Sequence, residues 1–263
     1  MRTGITAAIA AWVIGLSVSG LAQGPLKIDS VNFSATATIT EIDTDKLKGQ
    51  PARLAWSPDG AQLYLQMLEG NFGQAGAPVR HYTFSTENGR KQDLKAEPEW
   101  ASAYWTVKSA QASPDGPPLK VDLKSETRTA QSVSSPMGGD LARGGGSVNP
   151  GVGAGDAVSA AYNRQPIPVH SMLVRGELVG EFVNSVIVPG LTFGWGPAGT
   201  KVMAYVAKNG RVVVMDDQGT KKEIAGTKDA VLPAWSPDAT RLAWLQKDGR
   251  KKFVLQVARV SGP

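Results

Sequence analysis

Leu54-Ala55-Trp56-Ser57-Pro58-Asp59-Gly60 leads, two residues later, into the apolar run LYLQML. Nearly the same string returns as Pro233-Ala234-Trp235-Ser236-Pro237-Asp238-Ala239 before LAWLQ. A worn copy, Phe193-Gly194-Trp195-Gly196-Pro197-Ala198-Gly199, precedes VMAYVA. The shared centre is turn chemistry: proline presets φ for the second position of a type I turn, Ser and Asp bond nearby backbone, and glycine suits the exit. Each copy therefore reads as a hairpin turn between two short strands, with a tryptophan placed just before it to bury a large area between packed sheets.

The repeat has a period. Pro98-Glu99-Trp100, followed by the strand-like AYWTV, is a fourth trace with a shortened turn, so the marker tryptophans fall at 56, 100, 195 and 235. Spacings of 44, 95 and 40 residues indicate units of roughly 40, one of which has lost its marker. Within the last two units a second hairpin follows: Val202 to Ala207, Lys208-Asn209-Gly210, Arg211 to Met215; then Trp244 to Gln246, Lys247-Asp248-Gly249, Phe253 to Val257. Asn-Gly is a favoured two-residue hairpin turn. A further strand is expected at Lys221 to Ile224, which brings the unit to three or four antiparallel strands, one propeller blade. No long segment carries a 3.6-residue period, so helices should be few.

The AWSPDG-x-x-L string resembles the PD40, or WD40-like, repeat of TolB-type β-propellers, specifically at 54–66 and 233–246, less so at 193–206 and faintly at 98–107. The resemblance implies an exported all-β propeller. The α/β domain that precedes the propeller in TolB is not expected here, since about 30 residues separate the apolar leader from Trp56. Of those, Val31 to Ile42 alternates like a strand and is expected to complete the last blade. Ser134 to Pro166, rich in Gly, Ser, Ala and Pro, reads as a flexible loop inserted where the marker is missing. Val169 to Val174 and Leu178 to Val188 resume strand-like sequence. The expectation is a β-propeller of about four to six blades, five preferred, in a ring that can be irregular or incomplete.

Residues 1–22 read as an export leader, with Arg2, an apolar stretch from Ile5 to Val18, and the small-residue ending Gly20-Leu21-Ala22. Cleavage after Ala22 would leave residues 23–263 as one periplasmic or secreted domain, without a membrane span. The absence of cysteine excludes disulfides, thiol chemistry and a lipidated cysteine at the mature start. The formal net charge is +5, and residues 200–263 hold twelve Lys and Arg against six Asp and Glu. The clusters Lys221-Lys222 and Arg250-Lys251-Lys252 are best read as solvated hairpin tips. Nucleic acid is not an expected partner, and the glycosylation tripeptide Asn32-Phe33-Ser34 is weak as a signal.

No catalytic, cofactor or metal site is legible. Gly194-Trp195-Gly196-Pro197-Ala198-Gly199 satisfies G-x-G-x-x-G, but a strand-like run follows it where a dinucleotide site requires a helix. His81 in VRHYTF and His170 in IPVHSMLV have no second histidine at ligand spacing and read as strand positions. There is no G-x-S-x-G elbow, and a hydrolase domain of the kind that accompanies some related propellers is not expected after the last repeat. Glu97, Glu99, Asp122, Glu177, Glu181, Asp216 and Asp217 show no spacing that singles out an acid and a base.

The residues of the repeat itself, Trp56, Ser57, Pro58, Asp59, Gly60, Trp100, Trp195, Pro197, Gly199, Trp235, Ser236, Pro237 and Asp238, are structural. The expected role is therefore non-enzymatic: a scaffold that binds another envelope or extracellular protein. Two alternatives stand beside it. One is an extracytoplasmic hydrolase or lyase using funnel carboxylates; the other is a structural propeller that self-associates through open strand edges.

Overall fold

The computed structural model describes residues 24–69, 77–102, 119–129, 166–183, 186–187 and 191–262. The leader and most of the Gly-rich stretch lie outside these residues, and so does AYWTV. Four antiparallel sheets are built along the chain. The first joins β3 (Gln50–Trp56), β4 (Gln62–Leu68), β5 (Val79–Ser85) and β6 (Lys91–Leu94). The second joins β7 (Val121–Thr129), β8 (Pro166–Val174), β9 (Glu177–Val183) and β10 (Val186–Ile187). The third runs through β11 (Phe193–Trp195), β12 (Val202–Val206), β13 (Val212–Asp216) and β14 (Lys221–Glu223). The fourth runs through β15 (Ala230–Trp235), β16 (Arg241–Lys247) and β17 (Lys252–Ser261). The protein is all-β, with a four-blade propeller arrangement. Four lies within the range read from the repeats, and a fifth blade has no sheet among the described residues.

The outer edge of the fourth blade is covered from the start of the chain. β2 (Ala37–Asp43) pairs with Lys252 to Val257 of β17, and β1 (Asn32–Phe33) pairs with Ser261 and Val260. One strand was expected over 31–42, and two are found, because the chain departs from regular pairing at 34–36. Ser34 bridges the gap: its N–H donates to the Arg259 carbonyl, and its hydroxyl accepts the Arg259 N–H, both at 2.9 Å.

The repeated turns are near copies in atomic detail. Ser57 N–H donates to Gln62 O and Gln62 N–H to Ser57 Oγ, each at 2.9 Å, while the hydroxyl donates to Asp59 Oδ1 at 2.5 Å. Ser236, Arg241 and Asp238 repeat these bonds at 2.9, 2.9 and 2.5 Å. The exit residue is left-handed in all three copies, with φ of 67° at Gly60, 83° at Gly199 and 56° at Ala239. In the worn copy a Cβ on Gly194 would stand 2.2 Å from the Pro233 carbonyl oxygen, and one on Gly196 would stand 2.5 Å from Val202 Cγ2. Close packing and a left-handed exit thus account for all three glycines of the G-x-G-x-x-G match, and strand β12 follows it.

Neighbouring blades share cores. Leu54, Leu63, Leu65 and Phe84 of the first blade pack with Val231, Ala234 and Leu255 of the fourth. Trp235 and Trp244 of the fourth pack with Val202, Val212 and Val214 of the third, and Ile28 from a 3-10 turn (Ile28–Ser30) joins them. Met172 and Phe182 of the second blade pack with Phe193, Trp195 and Met203 of the third. In the third and fourth blades the first strand is fully buried, and in the first blade Leu54 to Trp56 of β3 are; the outermost strands of these blades are more exposed, whereas in the second blade β7, the first strand, is largely exposed and β9 buried.

Trp100 lies in a single helical turn, α1 (Glu99–Ser102), and packs partly buried against the first blade, while the AYWTV strand expected after it lies outside the described residues. Its Pro-Glu lacks the Ser and Asp side chains that hold the other turns, and here the Ala101 N–H donates to the Pro98 carbonyl at 2.9 Å. Pro166 belongs to β8 and not to the loop, at the end of a strand where a missing N–H is tolerated.

Candidate functional site: a polar face on the first blade

Strand alternation gives the first blade two unlike faces. Leu54, Trp56, Leu63, Leu65, Tyr82 and Phe84 share the face packed on the fourth blade. On the other face Arg53, Gln66 and His81 lie opposite one another across β3, β4 and β5, with Ala55, Tyr64 and Thr83 in the next row. A bulge between Pro51 and Arg53 inserts Ala52 beside this row, the kind of irregularity that re-aims a neighbouring side chain. The row sits at the middle of β3, three residues before Trp56 and the Ser-Pro-Asp turn that follows it.

Arg53 Nη1 donates to both Glu97 carboxylate oxygens at 3.0 Å, and the two side chains are 27% and 24% exposed. Beneath them Tyr64 is fully buried. Its hydroxyl lies 2.7 Å from His81 Nδ1 and accepts from Gln66 Nε2 at 3.5 Å. The two rings stack at 6.0 Å, and Trp100 meets Tyr64 edge-on at 6.0 Å. Burial, reinforced by the Glu97 charge, pushes the Tyr64 phenol well above its ordinary range, so it acts as a neutral hydrogen-bonding group. The face therefore offers a guanidinium, an amide, an imidazole, a carboxylate and an indole, all held in place by one another.

Sequence reasoning read His81 as an ordinary strand position and Glu97 as an unpaired acid. Only the register of β3, β4 and β5, with the return of 97–100 over the sheet, assembles the cluster. The alternating polar residues in QLYLQ and VRHYTF were the available signal.

The other acids and bases have separate engagements. Glu181, 3% exposed, pairs with Arg128 at 2.8 Å and accepts from Ser171 Oγ at 3.3 Å. His170 Nδ1 lies 2.8 Å from Ser125 Oγ. Asp216 accepts the N–H groups of Gln218 and Thr220 at 3.0 and 2.8 Å, closing the β13–β14 turn. A cleft of ≈ 410 Å³ between the second and third blades is lined by Leu119, Lys120, Asp122, Arg175, Lys201 and Asp217. There Lys201 pairs with Asp217 at 3.4 Å, and Arg175 donates to the Asp217 carbonyl. The basic clusters are spread among partners: Lys221 on Glu177, Lys222 on the Val31 carbonyl, Lys251 on Asp45 and Lys252 on Glu41. Among the described residues no three His, Asp or Glu gather as a metal site, and no helix is long and apolar enough to cross a membrane.

No protein-family model matches the chain, and no curated protein matches it either. Solved structures similar to it include an oligogalacturonate lyase in complex with manganese, 10% identical over 81% of this chain and 48% of that one, with a TM-score of 0.23. Another is an acylaminoacyl peptidase in complex with a chloromethyl ketone, 10% identical over 77% of this chain and 29% of that one, with a TM-score of 0.19. The chain thus spans about half of the first and under a third of the second. Likenesses this distant carry no substrate or mechanism to this protein.

Proposed function

We propose that this chain is an exported propeller of the TolB-like PD40 class that serves as a non-enzymatic interaction module in the cell envelope, with the polar face of the first blade as its recognition surface. The observation that carries this reading is the Arg53–Gln66–His81 row, backed by Tyr64 and flanked by Glu97 and Trp100. Arginine, tyrosine and tryptophan are the side chains that dominate protein-binding hot spots. Their mutual hydrogen bonds and packing prepay part of the ordering cost of binding. The repeat residues support the same reading, since Ser57, Asp59, Ser236 and Asp238 are engaged in their own turns.

The test is capture of envelope proteins on the mature chain at physiological salt, in parallel with an Arg53→Ala/His81→Ala variant of matched melting temperature. The expected result is one dominant protein retained by the natural chain and lost from the variant. Equal retention by both would remove the polar face from the reading, and turnover of a substrate from a carbohydrate and ester panel would replace the binding role with an enzymatic one.

A further inference from the structure

Among the described residues no strand pairs with the outer edge of the second blade. β7 is terminal in the order β10-β9-β8-β7 and pairs with β8 along its whole length, from Val121 opposite Val174 to Thr129 opposite Pro166. Asp122 through Thr127 are exposed, so both faces of the strand are open to solvent. The corresponding outer strands β6 and β14 have four and three residues, whereas β7 has nine. Leu123, 43% exposed, stands on it. A long exposed edge presents unpaired backbone groups and is a template for another strand.

The sequence of this strand identifies which one. Alternation sets Asp122, Lys124, Glu126 and Arg128 on one face and Leu123, Ser125 and Thr127 on the other. We propose that β7 pairs antiparallel with β7 of a second copy of this chain, centred on Ser125, so that the two second blades join in one sheet across a two-fold axis. In that register Lys124 lies opposite Glu126 of the second copy and Asp122 opposite its Arg128, and two-fold symmetry repeats both pairs. All four charges on the face meet their opposites, while Leu123 is set against Thr127 of the second copy.

Neighbouring registers fail. A shift of two residues one way brings Lys124 against Lys124 and Asp122 against Glu126; two the other way brings Glu126 against Glu126 and Lys124 against Arg128. Like charges directly opposite are destabilising. A one-residue slip turns the charged face of one strand to the uncharged face of the other. The charges therefore select the register, and the backbone ladder supplies the association, since exposed ion pairs by themselves are worth little. Because the contact is isologous it closes as a dimer and does not propagate. Arg128 is already held by Glu126 and Glu181, which limits the side-chain entropy lost on pairing.

Sedimentation velocity of the mature chain across a concentration series tests this, with Lys124→Glu and Glu126→Lys variants of unchanged melting temperature. Each variant alone sets like charges opposite one another twice per dimer and should weaken self-association by about ten-fold or more. Mixed together, the two variants are complementary again and should form a heterodimer of near-natural affinity. The natural chain as a dimer, both variants weakened and the mixture restored is the expected outcome. A natural chain that stays monomeric overturns the proposal, as do variants that dimerise like the natural chain and a mixture that shows no recovery.

Discussion

The indole N–H of Trp56 donates to the carbonyl of Ala234 at 2.8 Å, so the tryptophan of the first repeat copy is fastened to the residue that precedes the tryptophan of the last. Arg241 reinforces the junction: its guanidinium lies 4.4 Å from the Trp56 ring centroid and donates to the Gly60 carbonyl at 3.0 Å. Trp235, the corresponding side chain of the last copy, is as deeply buried but its Nε1 has no partner among the described residues. Trp56→Phe should therefore cost about 1–2 kcal/mol more than Trp235→Phe, because only the first leaves a buried carbonyl without its donor. Either tryptophan changed to alanine should cost about 3–5 kcal/mol. Urea denaturation of the four variants measures both differences.

Ala239 occupies a position that its two counterparts fill with glycine, at φ 56°. Ala239→Gly relieves a left-handed strain of about 1–2 kcal/mol against a smaller entropy gain in the unfolded chain, for a net stabilisation of about 0.5–1 kcal/mol. Gly60→Ala should act oppositely, since a Cβ there would meet Arg241 Nη2 at 2.4 Å. Paired thermal melts read the two signs.

The turn aspartates predict an acid limb of stability. The Ser57 hydroxyl holds the Asp59 carboxyl below its ordinary range; at Asp238 burial opposes the shift, and bonds from Ser236 and Thr240 outweigh it. A carboxyl depressed in the folded state contributes stability that is present above its unfolded pKa and lost as pH falls through the lowered folded value. Stability should therefore decline below about pH 4, and Asp59→Asn/Asp238→Asn should flatten the decline in melts taken from neutral pH downward.

Buried tyrosines predict the alkaline limb. Desolvation pushes Tyr205 up to about 12 and Tyr64 higher still. A phenol raised in the folded state contributes stability that is complete below the unfolded pKa and lost as pH rises through the folded one. Stability should fall above about pH 10, and Tyr64→Phe should reduce that fall. Phenolate absorbance should show Tyr205 titrating near 12 while the chain remains folded.

The sequence by itself determined the repeating hairpins. Ser57 to Gln62 and Ser236 to Arg241 close through hydrogen bonds spanning five residues, and Ala207, Gly210 and Arg211 close the Asn-Gly turn in the same local way. Interactions of that range are written in consecutive letters, so the turns, their flanking strands and the all-β class were legible without tertiary information. The G-x-G-x-x-G match could likewise be set aside from the strand after it.

Tertiary structure decided what long-range register decides. β2 meets β17 across more than 200 residues, and the clasp of Trp56 on Ala234 spans 178. Arg53, Gln66 and His81 become neighbours only because three strands align with a bulge at Ala52. Nothing in VDLKSETRT marks an apolar face, so β7 had no local signal as a strand; its pairing with β8 defines it. Side-chain alternation fixes which residues share a face within one strand, but the choice of partner strand rests on burial summed over whole blades, a quantity that no short stretch of sequence contains.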